Sequence, residues 1–150
     1  MNKEDASTTA LQRPTDFFTA DEIAYLREVD SRRSWLAIAH CWAVIVGTWI
    51  VVSLFPNPIT ITLGVMIIGA RQLGLFVLTH DGAHGSLFKN RKLNDWVCEW
   101  ILNRPFTDEK IDNYRKYHVV HHANTQQEND PDLVLSKPFP ITKSSFRRKV

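Results

Sequence analysis

Histidine is concentrated in two short segments of this sequence, where the residue types and their spacing could support metal chemistry. The chain has six histidines. Five of them lie in "HDGAH", which holds His80 and His84, and in "HVVHH", which holds His118, His121 and His122. Neutral imidazole is a common ligand for iron, zinc, copper and nickel. The two segments are therefore candidate metal-binding boxes.

The spacing within each box would place its histidines on one face of a helix. His80 and His84 are four residues apart, and the second box has the i, i+3, i+4 pattern. This pattern leaves open whether the boxes bind one ion or two neighbouring ions. Five histidines exceed the three protein ligands of a usual catalytic zinc site and the four of a structural one. Two metal ions fit this number better, and two redox-active irons would suit oxygen chemistry.

Two apolar segments before the first box are long enough to cross a membrane. One runs from Trp35 to Phe55, and the other runs from Ile59 to Thr79 with Arg71 and Gln72 as its interruptions. As a helix, each would be about 31 Å long at about 1.5 Å per residue, which matches the hydrocarbon thickness of a bilayer. We therefore expect a transmembrane hairpin over residues 35–79, with a tight turn at "PNP".

Basic residues flank the outer ends of this hairpin, and its turn has none. They are Arg27, Arg32 and Arg33 before the first span and Lys89, Arg91 and Lys92 after the second. The positive-inside rule then predicts a multi-pass membrane protein with both histidine boxes on the cytoplasmic side. The net charge of +2 and the absence of a phosphate-binding motif give no indication of a nucleic-acid partner. The first residues have no apolar core of the signal-peptide type.

Capping signals predict short helices around the hairpin. Thr19 and Glu22 have capping-box spacing, so a helix is expected to begin near Ala20. Gly85 is a candidate C-terminal cap for the helix that carries the first box. Asn90 is a candidate start for an amphipathic helix, whose two tryptophans favour a position in the lipid headgroup region.

The expected fold class is all-α: an integral-membrane helical hairpin with interfacial and cytoplasmic helices. The second box is predicted to lie on a helix from Asp108 to about Asn124, with Thr107 as its cap. The expected organisation is a cytoplasmic N-terminal segment with a short helix (1–34), the hairpin (35–79), a cytoplasmic histidine-box region with the interfacial helix (80–134), and a basic C-terminal segment (135–150).

The two boxes, with "ANTQQENDPD" after the second, resemble the first two histidine boxes of the integral-membrane fatty acid desaturases and of their hydroxylase and ketolase relatives. The resemblance runs from about Trp35 to Leu133. It implies the first half of a four-span fold with a cytoplasmic centre of two non-haem irons. Asp81 would lie beside a ligand and accept an imidazole N–H. Asp130 and Asp132 match an acidic patch that often follows the second box. The iron ligands implied by the match are His80, His84, His118, His121 and His122.

The resemblance also implies an activity and its partners. Such enzymes use O2 and electrons from a separate donor, such as a ferredoxin or cytochrome b5, to introduce a double bond into a fatty acyl chain. The family's third box, [HQ]xxHH, does not occur in the sequence. We therefore expect this chain to be an N-terminal part that carries boxes one and two only.

Three other functions remain open from the sequence. A carotenoid or alkane hydroxylase or ketolase of the same superfamily would use the same boxes. A membrane zinc hydrolase would usually place a glutamate beside its ligand histidines, whereas the acid nearest a histidine within the boxes is Asp81 and no HExxH motif occurs. A non-catalytic membrane hairpin would bind no iron.

Overall fold

The chain folds into helices and turns throughout the part that the structure describes. The structure is a computed structural model and describes residues 13–148. A 3-10 turn, Pro14–Asp16, comes first, and α4 runs directly into a π-helical segment, Cys98–Asn103. The prediction of an all-α fold is confirmed. The α-helices are α1 (Ala20–Leu26), α2 (Ser31–Leu54), α3 (Pro58–Ala83), α4 (Arg91–Val97), α5 (Ile111–Asn124), α6 (Leu133–Ser136) and α7 (Lys143–Arg147).

Helices α2 and α3 form a hairpin, and both are long and apolar enough to cross a membrane. Asn57 caps α3, because its Oδ1 accepts hydrogen bonds from the N–H groups of Ile59 at 3.0 Å and Thr60 at 3.1 Å. Only 11% of the apolar window of each span is buried within the described structure. The central helix of a water-soluble protein would be mostly buried, so these apolar faces favour contact with lipid.

Both helices extend beyond the apolar segments predicted as spans. α2 begins at Ser31, because Asp30 Oδ1 accepts hydrogen bonds from the N–H groups of Arg32 at 3.0 Å and Arg33 at 3.3 Å. α3 continues to Ala83 and includes His80. The first histidine box is therefore a direct continuation of a candidate membrane helix.

The predicted caps lie at the ends of helices, as expected. The Thr19 N–H donates to Glu22 Oε2 at 2.8 Å, and the Glu22 N–H donates to Thr19 Oγ1 at 3.3 Å, so α1 begins with a capping box. Gly85 ends α3 with a φ of 76°, a left-handed conformation that favours glycine. Asn90 Oδ1 accepts from the Leu93 N–H at 3.1 Å at the start of α4.

The helix predicted from Asp108 instead begins at Ile111, so the predicted start was wrong. Thr107, the expected cap, forms a turn in which its Oγ1 accepts from the Glu109 N–H at 3.1 Å. The Ile111 N–H donates to Glu99 Oε2 at 2.8 Å. The start of α5 thus depends on a side chain from the π-helical segment, a contact that local capping signals do not reveal.

The core beneath the first box forms where α3 packs closely against the π-helical segment. Leu75, Val97, Cys98 and Leu102 are all buried there. A Cβ atom at Gly82 would overlap Cys98 Sγ and lie 3.4 Å from Cys98 Cβ. The middle of the first box therefore needs a glycine for a steric reason.

Gly82→Ala is expected to lower the free energy of unfolding by about 1–3 kcal/mol, because overpacking forces neighbouring atoms to move. The measurement is chemical unfolding of the purified protein in detergent. Gly69→Ala is the matched control on the same helix, since a Cβ at residue 69 meets nothing within 4 Å. Equal stability of the two variants would contradict the proposed packing.

Candidate metal centre

Four of the five predicted ligand histidines meet where the end of α3 packs against α5. His80 and His84 come from α3 and its C-cap, and His118 and His122 come from α5. One nitrogen from each ring lies within 4.8 Å of the other three. The Nε2 atom of His118 is 2.9 Å from the Nε2 atoms of both His84 and His122. The fold thus gathers four imidazole nitrogens around one small volume.

Burial and mutual proximity favour the neutral form of two of these rings. Burial, followed by the neighbouring histidines, lowers the pKa of His118 to about 4. Burial and then His80 and His122 lower the pKa of His84, while Asp81 acts in the opposite direction. A neutral imidazole has a lone pair on one ring nitrogen, which a metal ion requires. Both rings can therefore ligate a cation at neutral pH.

His121, the fifth predicted ligand, lies beside this group. Its ring centroid is 6.0 Å from that of His118 and 5.7 Å from that of His122. Its Nδ1 lies 2.8 Å from Asp130 Oδ1 and 3.3 Å from Asp132 Oδ2. The hydrogen bond with Asp130 and the charges of both carboxylates raise the pKa of His121, whereas burial lowers it. The role of His121 as a metal ligand stays a prediction.

The loop after α5 is folded around Asp130. The Asp130 side chain is 0% exposed. Its Oδ2 accepts from the Gln126 N–H at 2.8 Å, and its Oδ1 accepts from the Asp132 N–H at 2.9 Å. Burial alone would raise the pKa of Asp130, but the hydrogen bonds from His121, Gln126 and Asp132 lower it. Asp130 is therefore a buried carboxylate that three donors stabilise.

Arg115, which sequence reasoning missed, connects the two helices that carry the boxes. Its Nε donates to the Ala83 carbonyl oxygen at 2.9 Å, at the end of α3. Its Nη2 donates to Asp95 in α4 and its Nη1 donates to Asp112 in α5, both at 2.6 Å. The last carbonyls of a helix lack partners within the helix, so Arg115 also completes the end of α3. A basic residue just before the second box was visible in the sequence, but its distant acceptors were not.

Two further side chains contact the histidine group. Asp81 Oδ1 lies 3.3 Å from His80 Nδ1. The predicted role of Asp81 in orienting an imidazole requires a contact of this kind. The ring of Tyr114 stacks on that of His118, with centroids 5.4 Å apart and an interplanar angle of 11°. This stacking covers one face of the most buried histidine.

A mostly apolar cavity of about 450 Å³ lies between α3, the π-helical segment and α5. Gln72, Phe76, Thr79 and Tyr114 form part of its wall. Thr79 directly precedes the first box, and Tyr114 contacts His118. The cavity therefore borders the histidine group.

The fold and the site together define a helical protein of membrane type with a histidine-rich centre at the end of a candidate span. Residues 56–150 match the family described as fatty acid desaturase. The chain belongs to the fatty acid desaturase family, and the predicted resemblance is confirmed.

One relative is much longer than the region that it shares with this chain. The chain is similar to fatty acid desaturase 3 from Bos taurus, with 27% identity over 114 residues. The similar region covers 73% of this chain and 25% of the bovine protein. The chain thus spans about a quarter of the length of that relative. No solved structure matches the chain.

Proposed function

We propose that this chain contributes the first two histidine boxes of an O2-dependent membrane desaturase that introduces a double bond into a fatty acyl chain. The main support for this proposal is that four imidazole nitrogens lie within 4.8 Å of one another in a chain of the desaturase family. This donor set fits iron, because imidazole is one of the nitrogen ligands that iron accepts. In the proposed site His80, His84, His118 and His122, together with His121, hold two irons.

When bound, the two irons supply the activation of O2, with electrons from a separate donor such as a ferredoxin or cytochrome b5. In the overall reaction the acyl chain loses two hydrogens and O2 is reduced to water. The residues of this chain orient the reacting groups. Asp81 restrains the His80 ring by contacting the Nδ1 atom of His80, and the stacked ring of Tyr114 restrains His118.

The apolar cavity beside the histidines is proposed to hold part of the acyl chain. Its volume of about 450 Å³ lies within the usual range for small-molecule sites. Phe76 and Tyr114 pack edge to face in its wall, with centroids 5.8 Å apart. An apolar wall next to the metal ligands would position a methylene segment and exclude water from it.

The proposed location is the bilayer, with α2 and α3 as membrane spans and both boxes on the cytoplasmic side. The basic residues that flank the hairpin support this orientation. Trp96 and Trp100 are both exposed in the structure, as expected for tryptophans that contact lipid headgroups. The proposed organisation is the one expected from the sequence: a cytoplasmic N-terminal segment (1–34), the hairpin (35–79), a cytoplasmic histidine-box region (80–134) and a basic C-terminal segment (135–150).

The test is a product analysis of the full-length protein in membranes supplied with a labelled saturated fatty acyl substrate and an electron donor. We expect a product lighter by two hydrogens, formed only with O2, and iron that copurifies with the protein. Mass spectrometry identifies the product, and elemental analysis measures the iron. A product that gains an oxygen atom would favour the hydroxylase function, and a protein with neither iron nor product would favour the non-catalytic hairpin.

A further inference from the structure

We infer that Asp130 is a positioning residue that holds His121 through Nδ1 and so directs the Nε2 atom of His121 toward a metal ion. The inference rests on the proposed function, because it assumes that the histidine boxes bind iron. It assigns a specific task to a carboxylate outside both boxes. The task follows from the hydrogen bonds of Asp130 and from its burial.

The hydrogen bond of His121 determines which of its ring nitrogens carries the lone pair. Its Nδ1 is engaged by Asp130 Oδ1 at 2.8 Å. A carboxylate only accepts hydrogen bonds, so the Nδ1 of His121 is the protonated nitrogen in this contact. In the neutral ring the lone pair is therefore on Nε2. Metal-binding histidines commonly have this arrangement, in which the second ring nitrogen donates to a carboxylate or carbonyl.

The hydrogen bonds of Asp130 suit it to orient a ligand and not to be a ligand itself. Both of its oxygens already accept hydrogen bonds from backbone N–H groups, at Gln126 and Asp132. Its side chain is 0% exposed, whereas that of Asp132 is 31% exposed. A metal ion that bound Asp130 directly would compete with these internal bonds and would need access to a fully buried side chain. Asp130 is instead suited to fix the ring that contacts it.

The backbone on both sides of Asp130 fixes the position of its carboxylate. Gln126 adopts a left-handed conformation with φ 61°, which turns the chain back so that its N–H reaches Asp130. Asp132 contributes less to the His121 ring, because its Oδ2 is 3.3 Å from Nδ1 and its Oδ1 accepts from the Tyr117 hydroxyl at 2.6 Å. The loop therefore holds one carboxylate rigidly against His121.

The test compares Asp130→Asn with Asp132→Asn in the full-length protein. Asp130→Asn is expected to weaken iron binding about 10–100-fold, the usual effect of losing a carboxylate that orients a metal-binding histidine. It should also change the Mössbauer spectrum of the remaining bound iron. Asp132→Asn should cause a much smaller change. Unaltered iron affinity and spectrum in Asp130→Asn would overturn the inference, and so would equal losses in the two variants, which would mean that both carboxylates act alike.

A double-mutant cycle distinguishes positioning from a general structural role. In a His121→Gln background, Asp130→Asn should cause no further loss of iron affinity, because the residue through which it acts is gone. A further loss of the same size would mean that Asp130 acts independently of His121. Should the variants not fold, histidine-labelled NMR of the unmutated protein is the alternative measurement. Metal addition must then shift the His121 Nε2 resonance, and an unchanged resonance would overturn the inference.

The outcomes also distinguish this inference from the proposed function. If the proposed function fails because the boxes bind no metal, the unmutated protein contains no iron and His118→Ala changes nothing; if it fails because the protein is not a desaturase, iron is bound and no desaturated product forms. If only the positioning role fails, the unmutated protein binds iron, His118→Ala loses it, and Asp130→Asn retains it.

Discussion

Replacement of His118 by alanine is expected to abolish both iron binding and desaturated product. His118 is the most central ring of the group, with its Nε2 2.9 Å from the Nε2 atoms of both His84 and His122. Its ring centroid also lies 4.5 Å from that of His80. Loss of an orienting residue alone costs about 10–100-fold in metal affinity, so loss of a direct ligand should cost at least about 100-fold.

The measurements for His118→Ala are iron content per protein and product yield in membranes. Val119→Ala is the matched control, because Val119 is the next residue on α5 and its side chain is exposed. The control should retain both iron and product. Normal product from His118→Ala, at normal protein levels, would contradict the ligand assignment.

The second large effect is expected for Arg115→Ala, which should separate the two boxes. The substitution removes the hydrogen bond to the Ala83 carbonyl oxygen and the ion pairs with Asp95 and Asp112. Hydrogen bonds that involve a charged group contribute about 1.5–3 kcal/mol each when they are shielded from water. Because the Asp95 side chain is 36% exposed, we expect a total loss of about 2–3 kcal/mol in the free energy of unfolding. Iron affinity should fall with it, since α5 is no longer fixed against the end of α3.

Arg91→Ala is the matched control, because Arg91 pairs with the same Asp95 carboxylate, at 3.3 Å. The Arg91 side chain is 55% exposed, whereas that of Arg115 is 19% exposed. An exposed pair contributes little, so Arg91→Ala should change the free energy of unfolding by less than about 1 kcal/mol. Unfolding measurements and iron titrations of both variants test the expectation. The expectation would be wrong if Arg115→Ala and Arg91→Ala lost equal amounts of folding stability and iron affinity.

The sequence predicted those features that depend on neighbouring residues. The reciprocal Thr19 and Glu22 bonds and the Asn90 cap follow from side chains within three residues of the groups they satisfy. The left-handed conformation of Gly85 is also a local feature, because it depends on the residue type at the end of the helix. The face-sharing of histidines within each box is likewise a property of helix geometry. Such signals were sufficient for the fold class and for the starts of α1 and α4.

The features that the sequence did not reveal depend on contacts between distant residues. Glu99 determines where α5 begins, and Cys98 explains why residue 82 is a glycine. The acceptors of Arg115 lie on three helices, and the Asp130 loop folds back on His121. Spacing alone therefore placed all five histidines in one site without distinguishing His121 from the other four.

The close packing of Gly82 against Cys98 also affects the chemical durability of the protein. Cys98 is 0% exposed, and burial, with the nearby Asp95 carboxylate, raises its pKa to about 12. Oxidation of cysteine proceeds through the thiolate and requires access to the sulfur. A thiol that is protonated and enclosed in this way resists damage by reactive oxygen species, even when they arise close to it. The steric fit that excludes a side chain at residue 82 thus also protects the sulfur.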